Sequence, residues 1–196
     1  MRVRSIVTMR IAYLDCSSGI SGDMTLGALI DAGVPAASIQ AAIDSLGLPG
    51  CRLEVGVVKR KGFRGTKVTV IHEPESAHRH LKHVLEIVER GQLTAVAKGR
   101  VEQVFRRLAE AEARVHGTTV EKVHFHEVGA VDSIVDIVGA CVGWELLGVD
   151  RVVSSAVCVG GGTIEIAHGR CSVPAPATAE LLQGIPLAAS PIEAEL

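Results

Sequence analysis

Aromatic residues are scarce in this chain, at 3%, with one Trp, one Tyr and three Phe. That argues against recognition of nucleic acid by base stacking. No sign of charge is in excess: the formal net charge is −2, which argues against a broad basic surface of the kind that holds a phosphate backbone. Any basic patch is local. Cys-x-x-Cys pairs are absent. The five cysteines, Cys16, Cys51, Cys141, Cys158 and Cys171, are odd in number and scattered. They read as reduced thiols of a cytoplasmic protein, not as a disulfide framework. No uninterrupted apolar run is long enough to cross a bilayer, and the start lacks the apolar core of a signal peptide. Nucleic acid and membrane are therefore not expected as partners.

The remaining composition is that of an ordinary globular chain, 47% hydrophobic and 21% charged. At 196 residues it can bury a good core as one domain. Met9-Arg10-Ile11 reads as a more natural start than Met1, so residues 1–8 are expected to be an extension and 9–196 the domain. The last residues, Ser190 to Leu196, carry no helix stop or tail signal and read as a truncation point.

Against this plain background one stretch stands out: His124-Phe125-His126-Glu127-Val128-Gly129-Ala130-Val131-Asp132-Ser133-Ile134-Val135-Asp136. Two imidazoles and three carboxylates crowd into otherwise apolar sequence. Such groups are costly to hold there unless they pair, hydrogen-bond or bind a metal. If residues 123–127 are extended, His124 and His126 share one face, and Val123 and Phe125 the other. Two imidazoles so placed can share one ion of nickel, zinc, copper or iron. The plainer alternative is a half-exposed strand with its histidines in water. Asp132 and Asp136 lie one helical turn apart, and Gly139, Ala140 and Gly143 continue their face. Two like charges there repel unless a cation or basic groups face them. The alternative is an acidic helix start favoured by the macrodipole. The metal ligands expected here are His124, His126, Glu127, Asp132 and Asp136, with Glu127 and His126 as candidate bases.

The spacing of apolar and breaker residues predicts α/β (mixed α+β) architecture: a central mixed sheet, flanking helices and a β-hairpin. Ile11–Leu14 reads as a short buried strand. A helix capped by Ser21 runs to Gly33, and another runs from Ser38 to about Gly47. Alternation at Leu53, Val55, Val57 and at Val68, Val70 predicts a hairpin with the basic tip Lys59–Gly65. His78, His80 and His83 open a helix ending near Arg90, and read as a solvated helix start or a loose metal-collecting group. A longer helix closes at Gly117, and an apolar one spans Val131–Leu147. A strand at Arg151–Val159, two short strands at Thr163–Ile166 and Arg170–Val173, and a helix from Pro176 to Gly184 complete the chain.

Between the first strand and helix lies Asp15-Cys16-Ser17-Ser18-Gly19-Ile20-Ser21-Gly22-Asp23. Free N–H groups at such a helix start bind anions, phosphate above all. No Lys follows the glycines, so this is not a Walker A loop. Asp15, Ser17, Ser18, Gly19, Ser21, Gly22 and Asp23 are the candidate binding residues. A tight turn with a serine cap explains the loop equally well.

Three segments together resemble the LarC family of nickel-insertion proteins. They are Tyr13–Met24, Val123–Asp132 and Val173–Leu182, in the family's order. The resemblance implies CTP-dependent insertion of nickel into pyridinium-3,5-bisthiocarboxylic acid mononucleotide. That forms two nickel–sulfur bonds and one nickel–carbon bond, giving the nickel-pincer cofactor of lactate racemase. It also implies a lyase-class cyclometallase, magnesium or manganese with CTP, and a phosphorylated pyridinium substrate. A C-terminal region associated with CTP would lie beyond Leu196, so this chain would be the metal-handling part and inactive alone. Many relatives carry a longer histidine tract where this chain has only His72 to His80. Two readings from other classes stay open: a non-catalytic nickel chaperone or scaffold, and a metal-dependent phosphohydrolase using Asp15, Asp23, Asp132 and Asp136. Gly- and Ala-lined helix faces leave room for subunit packing.

Overall fold

The computed structural model describes residues 9–74, 79–125, 129–166 and 169–196. The sequence-predicted site residues His126 and Glu127, together with His78, lie outside them. The chain is mixed α/β, with its hairpin, as the pattern predicts. Its strands do not gather into one central sheet. Among the described residues they form four two-stranded pairs, two parallel and two antiparallel.

Helix α5 (Val131–Leu147) is the organising element. It is apolar nearly all round, so it must be buried on several sides. One side meets α3 (Leu81–Arg90) and α4 (Ala95–His116), with Val84, Val101, Phe105, Ile134 and Val138 fully buried between them. The other meets α1 (Gly22–Asp31) and α2 (Ala36–Asp44) through Leu29, Ile39, Ile43, Val131 and Val135. The small residues expected to admit a ligand or second backbone instead admit side chains from these helices. A methyl on Gly139 would collide with Leu26 and Ile39, and one on Gly143 with Leu29.

The hairpin pairs β2 (Arg52–Arg60) with β3 (Phe63–Ile71) through a two-residue turn, Lys61-Gly62. Both turn residues have positive φ, 48° and 90°, as a type I′ turn demands. The strands therefore reach further toward the tip than the sequence pattern suggested. One face of β3 lies on α1: Val68 is buried, and Thr66 donates to Asp31 at 2.7 Å.

β1 (Ile11–Leu14) pairs in parallel with β4 (Arg151–Ser154). The sequence suggested a buried strand, but Ile11 is 54% and Tyr13 66% exposed, because β4 is the sole strand paired with it among the described residues. The predicted strand Arg151–Val159 is broken in two, and β5 is Val157–Cys158. The break follows from Ser155, whose N–H donates to Leu14 O and whose hydroxyl donates to Ala156 O and accepts from Cys16 N–H. β6 (Thr163–Ile166) and β7 (Gly169–Ser172) form a second hairpin, followed by α6 (Pro176–Leu181) and β8 (Leu187–Ala188), which pairs with β5. Among the described residues no helix is long and apolar enough to cross a membrane.

Candidate metal and substrate site

Two groups of polar side chains are brought together at opposite ends of one short connection. The first is acidic and sits where α1 and α5 cross. Ser21 caps α1, its hydroxyl accepting from Met24 N–H at 3.4 Å and donating to the Asp23 carboxylate. Gly22 lies directly against Asp136: an added methyl would overlap the Asp136 carboxylate. Asp136 is partly buried, and among the described residues its Oδ1 is buried with no hydrogen-bond partner. Burial pushes its carboxyl up to about 6, with the negative charges of Asp23 and Asp132 adding to the shift. Asp132, exposed in the first turn of α5, accepts from Ser133 N–H at 2.7 Å. Asp23, Asp132 and Asp136 thus form one acidic cluster, drawn from two sequence-distant motifs.

Asp15 is on the same loop but does not join that cluster electrostatically. It accepts from Ser17 N–H at 3.1 Å, and bonds from Ser17 hold its carboxyl below the usual carboxylate range. Other loop amides also have internal acceptors: Cys16 N–H donates to Ser155 Oγ at 2.8 Å and Gly19 N–H to Cys16 O at 3.2 Å. Gly19, at φ 88°, faces Leu196, leaving no room for a side chain. Ser17 and Ser18 are exposed on this turn.

The second group is the histidine segment. Val123 and Phe125 point inward, 2% and 1% exposed, and Phe125 packs on Phe105 with ring centroids 6.2 Å apart. His124, between them, is exposed. That alternation is what an extended strand dictates. A strap formed by Arg79 and His80 holds the segment at three points. Phe125 N–H donates to Arg79 O at 3.0 Å, His80 Nδ1 meets Val123 O at 2.8 Å, and Arg79 Nη1 donates to Gly129 O at 2.7 Å. Arg79 is 9% exposed, and this carbonyl bond offsets part of the cost of burying its charge. The His80 ring lies against that of His124, centroids 3.8 Å apart, and 5.5 Å from that of His83. The sequence pattern left His80 between a solvated helix start and a loose metal-collecting group, and gave Arg79 no role. Nothing local signals the pairing of these two residues with the distant His124 segment.

Among the described residues no three His, Cys, Asp or Glu side chains converge tightly enough to hold a metal ion by themselves. A groove of about 620 Å³ between α3 and α4, lined by Leu81, Leu85, Val88, Lys98, Glu102 and Arg106 among others, contains none of the candidate residues.

The comparison with known proteins decides what kind of chain carries this arrangement. Residues 12–196 match the sequence profile described as "Nickel insertion protein". The chain belongs to the nickel insertion protein family. A protein of Rhodopirellula baltica is 50% identical over 185 residues, covering 94% of this chain and 47% of that one. One from Geobacillus kaustophilus, named pyridinium-3,5-bisthiocarboxylic acid mononucleotide nickel insertion protein, is 46% identical over 198 residues, covering 96% of this chain and 48% of its own. One of the same name from Desulfitobacterium hafniense is 48% identical over 188 residues, covering 96% and 47%. The chain therefore spans about half the length of the curated relatives it matches. No solved structure matches it.

Proposed function

We propose that this chain is the metal-handling half of an enzyme that inserts nickel into pyridinium-3,5-bisthiocarboxylic acid mononucleotide. The carrying observation is the match itself: relatives named for that reaction are 46–48% identical across nearly the whole chain, Asp15–Asp23 and His124–Asp136 included. The donor chemistry is compatible in kind. Nickel is cargo here, and imidazole with carboxylate suits it. His124, His126, Glu127, Asp132 and Asp136 are the proposed donors. The substrate phosphate is proposed to meet the hydroxyls of Ser17, Ser18 and Ser21 and the remaining amides of the Asp15–Asp23 turn.

Forming a nickel–carbon bond requires that the pyridinium ring lose a proton. The C–H bond breaks, its electron pair goes to the metal, and Glu127 or His126 takes the proton. Dependence on CTP, with magnesium or manganese, is assigned to the remaining half of the relatives' length, and the product to the nickel-pincer cofactor of lactate racemase. Five free thiols support placing this work in the cytoplasm.

Reconstitution tests the reading. This chain is mixed with the second half of a relative, the mononucleotide, nickel, CTP and magnesium. Pincer formation, read by its absorbance and mass, is expected with the chain and lost with His124→Ala/His126→Ala. Pincer formation with the chain omitted would refute it. A second reading, a non-catalytic chaperone that delivers nickel to the other half, is separated by the same assay. In that case, nickel supplied in excess would replace this chain.

A further inference from the structure

We propose that His80 is a nickel ligand, acting through Nε2 beside His124. It rests on the reading that this chain handles nickel, and adds a residue from a segment separate from the signature. The first support is the tautomer. A backbone carbonyl can only accept, so the 2.8 Å contact between His80 Nδ1 and Val123 O places the proton on Nδ1. With the proton on Nδ1, the ring's remaining lone pair lies on Nε2. Donation of the other ring N–H to a backbone carbonyl is how metal-ligating histidines are commonly oriented.

The second support is position. The ring touches His124 at a centroid separation of 3.8 Å, tilted by 45°, and the segment carrying it is pinned by the Arg79 bonds to Phe125 and Gly129. Two imidazoles are thus held side by side at the protein surface, one half-buried and one exposed. His83 is excluded by the same reasoning. Its Nδ1 accepts from His80 N–H at 3.4 Å, so in the neutral ring its proton sits on Nε2. His80 thereby joins the donors already proposed, through its neighbour His124.

The test is nickel(II) titration of the whole chain by calorimetry, with His80→Asn as the main variant. Asn keeps a donor for the Val123 carbonyl but has no Nε2. Nickel affinity is expected to fall by about tenfold or more in His80→Asn, and to change little in His83→Ala. Wild-type affinity in His80→Asn would overturn the proposal. His124→Ala, run in parallel, separates the two ideas: if it too binds normally, the nickel reading falls with the proposal, and if it alone fails, only the His80 assignment falls. Should His80→Asn not fold, histidine-ring NMR of the native chain decides. Substoichiometric nickel is expected to broaden the His80 and His124 rings before those of His72, His83 and His116. A sharp His80 ring beside a broadened His124 would overturn the assignment.

Discussion

Replacing Asp136 by Asn changes the charge at the α1–α5 crossing while keeping the shape. In the native chain this carboxyl keeps its proton to about pH 6, against 3.8 for an ordinary one. That is about two pH units, worth about 3 kcal/mol at about 1.4 kcal/mol each. The sign follows from the raised value. The folded state binds this proton more tightly than the unfolded chain does. The stability it contributes is fully present below about pH 4 and is lost as pH rises through about 6. Asn mimics the protonated acid at every pH. With chelator present, Asp136→Asn should match the native chain near pH 4 and exceed it by up to about 3 kcal/mol at pH 7.5. For a domain of this size that is roughly 6–12 °C in melting temperature. Water reaching the partly exposed side chain lowers the figure without changing its sign. Urea unfolding of both proteins at pH 4.5, 6 and 7.5 is the assay. Parallel stability curves would refute the placement of Asp136 in a buried, like-charged setting.

Gly22→Ala should destabilise the fold by about 2 kcal/mol or more, since the new methyl overlaps Asp136 and the helices must part; a urea midpoint equal to the native one would show that α1 and α5 do not meet there. Arg79→Leu should cost about 2–3 kcal/mol, because it leaves the buried Gly129 carbonyl without its charged donor. Backbone amide protection in this variant should fall at Phe125 before anywhere in α4, and uniform loss would argue against a local strap. Burial pushes the Cys141 thiol up to about 11, so at pH 8 it should resist thiol reagents while the half-buried Cys171 reacts first. Mass mapping of the first modified cysteine reads this directly.

What the sequence made legible follows from periodicity. The span of α5 is unambiguous because its apolar run is bounded by Ala130 and by Gly148, whose φ of 63° marks the stop. Gly117 ends α4 in the same way. The hairpin shows in its alternation, though its tip was read as Lys59–Gly65 and the turn is the shorter Lys61-Gly62. Tertiary pairing was not legible. Ile11–Leu14 is apolar enough for a buried strand, but a single neighbour leaves it exposed. Ser155 interrupts the strand after β4 because it serves Cys16, a residue far back in the chain. The acidic cluster was half visible. Asp132 and Asp136 are evident from helical spacing, whereas the approach of Asp23 depends on Gly22 fitting under Asp136. The strap was invisible because Arg79 and His80 act through bonds to a segment more than forty residues away.

Calorimetric titration of this chain with nickel(II), alone and as His124→Ala/His126→Ala, goes most directly to the heart of the matter. The native chain should bind close to one nickel ion, and the double variant should bind none in the same concentration range. Equal affinity in the two proteins would mean that the histidine segment is not where the metal is held.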